Sequence, residues 1–216
     1  MADLDKFIKL LGQTDGRDKL YKTLAGIVKV LAVYAATKDQ AKIYNTLAKS
    51  IGEGRSIMRL AKWVGNVSKL QALVPKLATG FNVKTLVEVF RVLGDFGYIF
   101  GDNIAYLSKY KVLGRDAAAV TKGAKLFQFY GYVFAVILDV FAIQAARSKA
   151  ASDVATSRKE VKANAINLTK NAADLLVVTA AVGYLSSVWK PSNTTTGVLT
   201  ITSGAIATYQ NWGKLK

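Results

Sequence analysis

The chain has 216 residues, 51% of them hydrophobic, with 30 Lys+Arg against 14 Asp+Glu for a formal net charge of +16, and neither cysteine nor histidine. Disulfides, thiol nucleophiles, His or Cys metal sites and histidine acid–base chemistry are excluded. Such a charge attracts polyanions, and a mean hydropathy of +0.22 favours anionic lipid over nucleic acid, whose binding modules set their cations on polar, soluble domains.

The length allows one domain or two small ones. Proline occurs only at 75 and 191, so long helices are possible almost everywhere. The apolar residues lack the rhythm of short strands. The predicted fold is all-α, a helical membrane protein in which N-terminal amphipathic helices precede apolar, membrane-embedded ones. Residues 1–85 form the basic amphipathic region, with 15 Lys+Arg and 6 Asp+Glu. Residues 86–216 form the embedded region, with a charged connecting stretch at 147–174.

The start, Met1 to Lys6, has two acids and no apolar core, unlike a secretory signal. Sequons at Asn66, Asn167 and Asn193 are therefore expected to stay unmodified. From Arg17 to Tyr34, Leu20, Leu24, Ile27, Leu31 and Tyr34 recur at steps of four and three, forming one stripe. Lys22 and Lys29 lie opposite and Lys19 on the flank. Thr14 or Asp15 is the expected N-cap, and Asp15 and Asp18 suit the positive end of the helix dipole.

Residues 40–65 repeat the design. Ile43, Leu47, Ile51, Gly54, Met58 and Ala61 make a stripe, Lys42 and Lys49 oppose it, and Arg55, Arg59 and Lys62 border it, followed by Trp63. Tryptophan suits the headgroup zone. Helices of this kind lie in the interfacial plane, apolar face in lipid, with lysines gaining roughly 1 kcal/mol each against anionic headgroups. A soluble bundle also carries striped surface helices. The basic excess beside apolar spans favours the membrane.

Four apolar segments follow, at 86–107, 126–146, 175–189 and 192–213. The second and fourth are long enough to span at ~20 residues. Lys190-Pro191 predicts a turn that makes 175–213 a helical hairpin. Glu88, Arg91, Asp95 and Asp102 are the only charges between Leu86 and Leu107 and share one helix face. Arg91 can pair with Glu88 and Asp95. An embedded stripe must face protein or water. It lines a polar path, near Asp139, or is a charged face at the membrane surface or in solvent.

No glycine spacing gives a phosphate loop, no serine has a histidine base, and paired acids such as Asp15 and Asp18 fit capping better than catalysis. The expectation is no enzyme, no metal and no cofactor.

Four segments together resemble the peroxin eleven family of peroxisomal membrane proteins. Gln13-Thr14-Asp15-Gly16-Arg17-Asp18-Lys19-Leu20 is similar to the family opening. Ser50-Ile51 with the run from Gly54 to Trp63 is similar to its second basic helix, and Asp95 to Leu107 to its first membrane region. The ending from Ser203 to Trp212 looks like its C-terminal membrane helix. The kinetoplastid (glycosomal) members are the most alike. The resemblance implies elongation and proliferation of peroxisomes through amphipathic helices, ahead of fission. It also implies cytosolic termini, self-association, import by the membrane-protein receptor and contact with the fission machinery. Pore activity is attributed to some members. Gly16, Arg17, Lys19, Leu20, Gly54, Arg55, Arg59 and Lys62 are the matching candidates. The ending Lys214-Leu215-Lys216 departs from the dilysine signal of some members, which puts coat recruitment in doubt.

The expected function is membrane remodelling on anionic lipid. The alternative is a channel for small metabolites. A soluble nucleic-acid binder would have to bury every apolar segment.

Overall fold

The structure, a computed structural model, describes residues 2–151 and 153–215. Lys216, in the ending weighed above, lies outside them. The described residues form eight α-helices and no strand. They are α1 (Ala2–Gly12), α2 (Thr14–Val33), α3 (Lys38–Met58), α4 (Val64–Thr79), α5 (Val83–Lys109), α6 (Ala117–Ser148), α7 (Val154–Val182) and α8 (Asn193–Trp212), with a short 3-10 turn, Lys149–Ala151, after α6. They group into two compact units, one running to Met58 and resuming at Gly183, the other Arg59–Val182.

In the first unit α2 packs against both α3 and α8, and α1 docks on α2 and α8. The α2–α8 contact depends on small residues. A Cβ on Gly26 would stand 2.9 Å from the Gly197 carbonyl, and one on Gly204 would stand 2.6 Å from the Thr23 hydroxyl. The backbones approach as closely as in small-residue helix pairs in membranes. Leu10 of α1 is fully buried over Gly16, which has no room for a side chain. Gln13, not Thr14 or Asp15, occupies the N-cap of α2, and its side chain makes no capping bond. The Gln13 backbone amide instead donates back to the Leu10 carbonyl of α1.

In the second unit α5 and α6 run antiparallel. Gly94 meets Gly131, Gly97 receives the Phe127 ring, and Gly101 meets Ala124. Helix α7 lies along α6 and α4 along α5. Side-chain caps fix two starts. Asn82 accepts from the Lys84 and Thr85 amides, and Asp116 from those of Ala118 and Ala119.

Two helical segments are long and apolar enough to cross a membrane, Ala117–Ala151 and Val154–Val182. The first contains the expected span at 126–146. The second is α7 rather than 192–213, which has the length for a span but falls short in hydropathy. Helix α8 carries no charge, but six threonines with serine, asparagine and glutamine lower its hydropathy. Most of the stretch at 147–174 is helix rather than connection, continuous with the apolar residues up to Val182. The expected 175–213 hairpin is replaced as well. Helix α7 pairs with α6, and α8 pairs with α2.

A candidate membrane-binding surface

The first unit buries one side of α2 and leaves the predicted stripe outside. Gly16, Asp18, Gly26 and Val28 are buried. Leu24, Ile27 and Leu31 are 40%, 39% and 44% exposed, and Tyr34 is exposed at the end of the stripe. Leu20 is half-buried. Ile43, Leu47 and Ile57 of α3 are exposed too. Large aliphatic residues grouped on one helix face need a covering that the unit itself does not supply.

The cations divide. Lys19 and Arg55 both reach Asp18, each at 2.9 Å, and Asp18 is 2% exposed. This pair binds α2 to α3. Arg55 therefore serves structure, a role its position in the basic cluster did not disclose. Lys22 and Lys29 lie opposite the stripe and are half-buried. Burial depresses the Lys29 pKa below its usual 10.5. Arg17 is half-buried, and its Nε is enclosed without a hydrogen-bond partner. Lys42 and Lys49 are exposed on α3.

Arg59, Lys62 and Trp63 belong to the second unit. Arg59, expected at the headgroups, is instead buried and ion-paired to Asp102, with Nη2 at 3.0 Å and Nε at 3.2 Å from one carboxylate oxygen. Its guanidinium lies 5.6 Å from the Tyr98 ring centre. Asn103 completes the join by donating to the Arg59 carbonyl and accepting from the Ala61 amide, where Ala61 holds a φ of 59°. Burial needs this satisfaction, because an unpaired cation inside the fold is costly. Lys62 is half-buried. Trp63 packs edge-on against Phe96 and Phe100.

The charged stripe on α5 is split in the same way. Arg91 donates to Asp95 one turn on and lies 5.3 Å from the Tyr132 ring centre. Asp102 turns to Arg59. Glu88 and Arg91 flank a largely apolar recess shared with Lys69 and Leu138.

The partners of Asp139 escaped sequence reasoning. Asp139, in the most apolar helix, is buried and accepts amide hydrogens from Asn167 and Asn171 of α7. Asn164 donates to the Ala142 carbonyl and Ser157 to that of Ala146. The three asparagines sit three and four residues apart, and that spacing was the available signal. Helix α1 was missed as well. Leu4, Phe7 and Ile8 are exposed along it, spaced as one helical face.

The model of the family described as peroxisomal biogenesis factor 11 (PEX11) matches residues 4–212. The chain belongs to the PEX11 family. It is 24% identical to the Dictyostelium discoideum protein named peroxisomal membrane protein 11 homolog, over 98% of this chain and 95% of that one. No solved structure matches. PEX11 membership places the protein in peroxisomal membrane biogenesis. Among the described residues no His, Cys, Asp and Glu group could hold a metal ion.

Proposed function

We propose that this PEX11 protein remodels the peroxisomal (glycosomal) membrane by sinking the exposed face of α2, with that of α3 beside it, into one leaflet. The observation that carries this is the exposure of Leu24, Ile27 and Leu31 on a helix whose other sides are packed. Wedges of this kind spread the headgroups, favour curvature and elongate the organelle before fission. Arg17, Lys22, Lys29, Lys42 and Lys49 supply cations for anionic headgroups. Arg59 does not, since Asp102 engages it.

The protein is integral on this reading, held by α6 and α7, with both termini in the cytosol. It associates with itself and meets the membrane-protein import receptor and the fission machinery. The channel reading has less support. Asp95 and Asp102 are each engaged by an arginine, and Asp139 by two asparagines, so these carboxylates are poor candidates for an open, ion-attracting lining.

The test is the full-length variant Leu24→Glu with Ile27→Glu. Two carboxylates in the stripe must be desolvated or must lift the helix from the bilayer. Organelles should then fail to elongate while the protein still reaches them. Normal elongation would rule out α2 as the wedge.

A further inference from the structure

Within the second unit, α5 and α6 part on one side to leave an open groove of about 460 Å³. Leu93, Phe96 and Phe100 form one wall, and Val120, Gly123 and Phe127 the other. Its walls present no polar surface. The volume falls within the roughly 300–1,000 Å³ usual for ligand sites. Gly123 opens directly onto the space, since a Cβ there would meet nothing within 4 Å. Trp63 packs against the Phe96 and Phe100 rings of the same wall.

The charge of the neighbouring sequence says what fills it. The turn joining α5 to α6 and the first turns of α6 carry Lys109, Lys111, Arg115, Lys122 and Lys125, against the single acid Asp116. Asp116 already accepts from the Ala118 and Ala119 amides as the α6 cap. Lys111, Arg115 and Lys122 are exposed. The groove's Val120 and Gly123 lie within a few residues of Arg115 and Lys122, and a hydrocarbon slot beside such a cationic run complements an acyl chain joined to an anionic head.

We infer that the α5–α6 groove holds one acyl chain of an anionic phospholipid, whose phosphate meets Lys111, Arg115 and Lys122. This site is independent of the α2 wedge, being built from another unit.

Native mass spectrometry of the full-length protein in detergent tests it, with phosphatidylserine, phosphatidylcholine or oleate added. Wild type should retain phosphatidylserine at least tenfold better than phosphatidylcholine. Gly123→Leu should fill the groove and lower retention tenfold or more, with helix content and melting temperature unchanged. Val120→Trp, filling the slot at a second position, should do the same and guards against an idiosyncratic effect of one variant. Changing Lys111, Arg115 and Lys122 together to Gln should erase the preference between the two phospholipids. Wild type without bound phospholipid, retention by both groove-filling variants, or oleate held as firmly as phosphatidylserine would each overturn the assignment.

Discussion

Arg59 and Asp102, 43 positions apart, meet at 3.0 Å and join the segment after α3 to the middle of α5. Sequence patterning puts them in separate roles, one at the headgroups and one in a polar stripe. Together they are a single structural join, with Asn103 fixing the backbone beside it.

Removing one partner leaves the other charge enclosed. Arg59→Ala should lower stability by about 2–4 kcal/mol, somewhat below the full cost of breaking a buried pair because Asp102 keeps partial solvent access. Arg59→Lys should recover only part, since an ammonium lacks the fork that reaches Asp102 through two nitrogens. Arg59→Met with Asp102→Leu should restore most of the loss. Chemical denaturation in detergent measures all three, and an Arg59→Ala protein as stable as wild type would refute the join.

Periodicity and charge carried much of the architecture. The α2 stripe is read correctly because Leu24, Ile27 and Leu31 obey helical spacing and nothing in their own unit covers them. Patterning does not show which partner a charged residue finds. Arg55 and Arg59 look alike in the basic cluster, yet one closes on Asp18 and the other on Asp102. The second candidate span falls in α7 for a related reason. Absence of charge made 192–213 look embedded, while its threonines lower hydropathy and its glycines fit it to α2. Asn167 and Asn171 were passed over because asparagine in a charged stretch reads as solvated until the facing carboxylate is known.

Lys29 gives a prediction with two readouts. Burial lowers its folded pKa below 10.5, so the unfolded chain holds this proton more tightly. Stability is reduced at neutral pH and rises as pH climbs through the folded value towards 10.5. Lys29→Met should raise the melting temperature at pH 7 and flatten the alkaline rise. If Lys29 also meets headgroups, the variant should bind anionic vesicles more weakly. Higher stability with unchanged vesicle affinity would remove Lys29 from the lipid surface.

Asp139 tests the pairing of the two candidate spans. Asp139→Leu would keep the bulk but leave the Asn167 and Asn171 amides without their acceptor. Hydrogen bonds between membrane helices contribute about 0.6 to 2 kcal/mol each, so a loss of roughly 1–3 kcal/mol is expected. Adding Asn167→Leu and Asn171→Leu should recover part of it, because no unsatisfied amide remains. Thermal unfolding in detergent, compared across the series, would show whether recovery occurs. A monotonic decline with each substitution would mean that these residues act separately.

The last prediction sets stability against conduction. A water-filled path would use Glu88, Asp95 and Asp102 to attract cations. Arg91 engages Asp95 one turn away and stacks near Tyr132. Arg59 engages Asp102. Each arginine cancels its acid locally, so the field along the stripe is weak and neutralising one acid changes it little. The same substitution strands a guanidinium, Arg91 in one case and Arg59 in the other, and the more buried Arg59 should feel it more. Asp95→Asn and Asp102→Asn should therefore lower the melting temperature, the second by more, while planar-bilayer conductance stays at background in wild type and variants alike. A robust wild-type current whose cation selectivity falls in both variants would reverse the ranking of remodelling over transport.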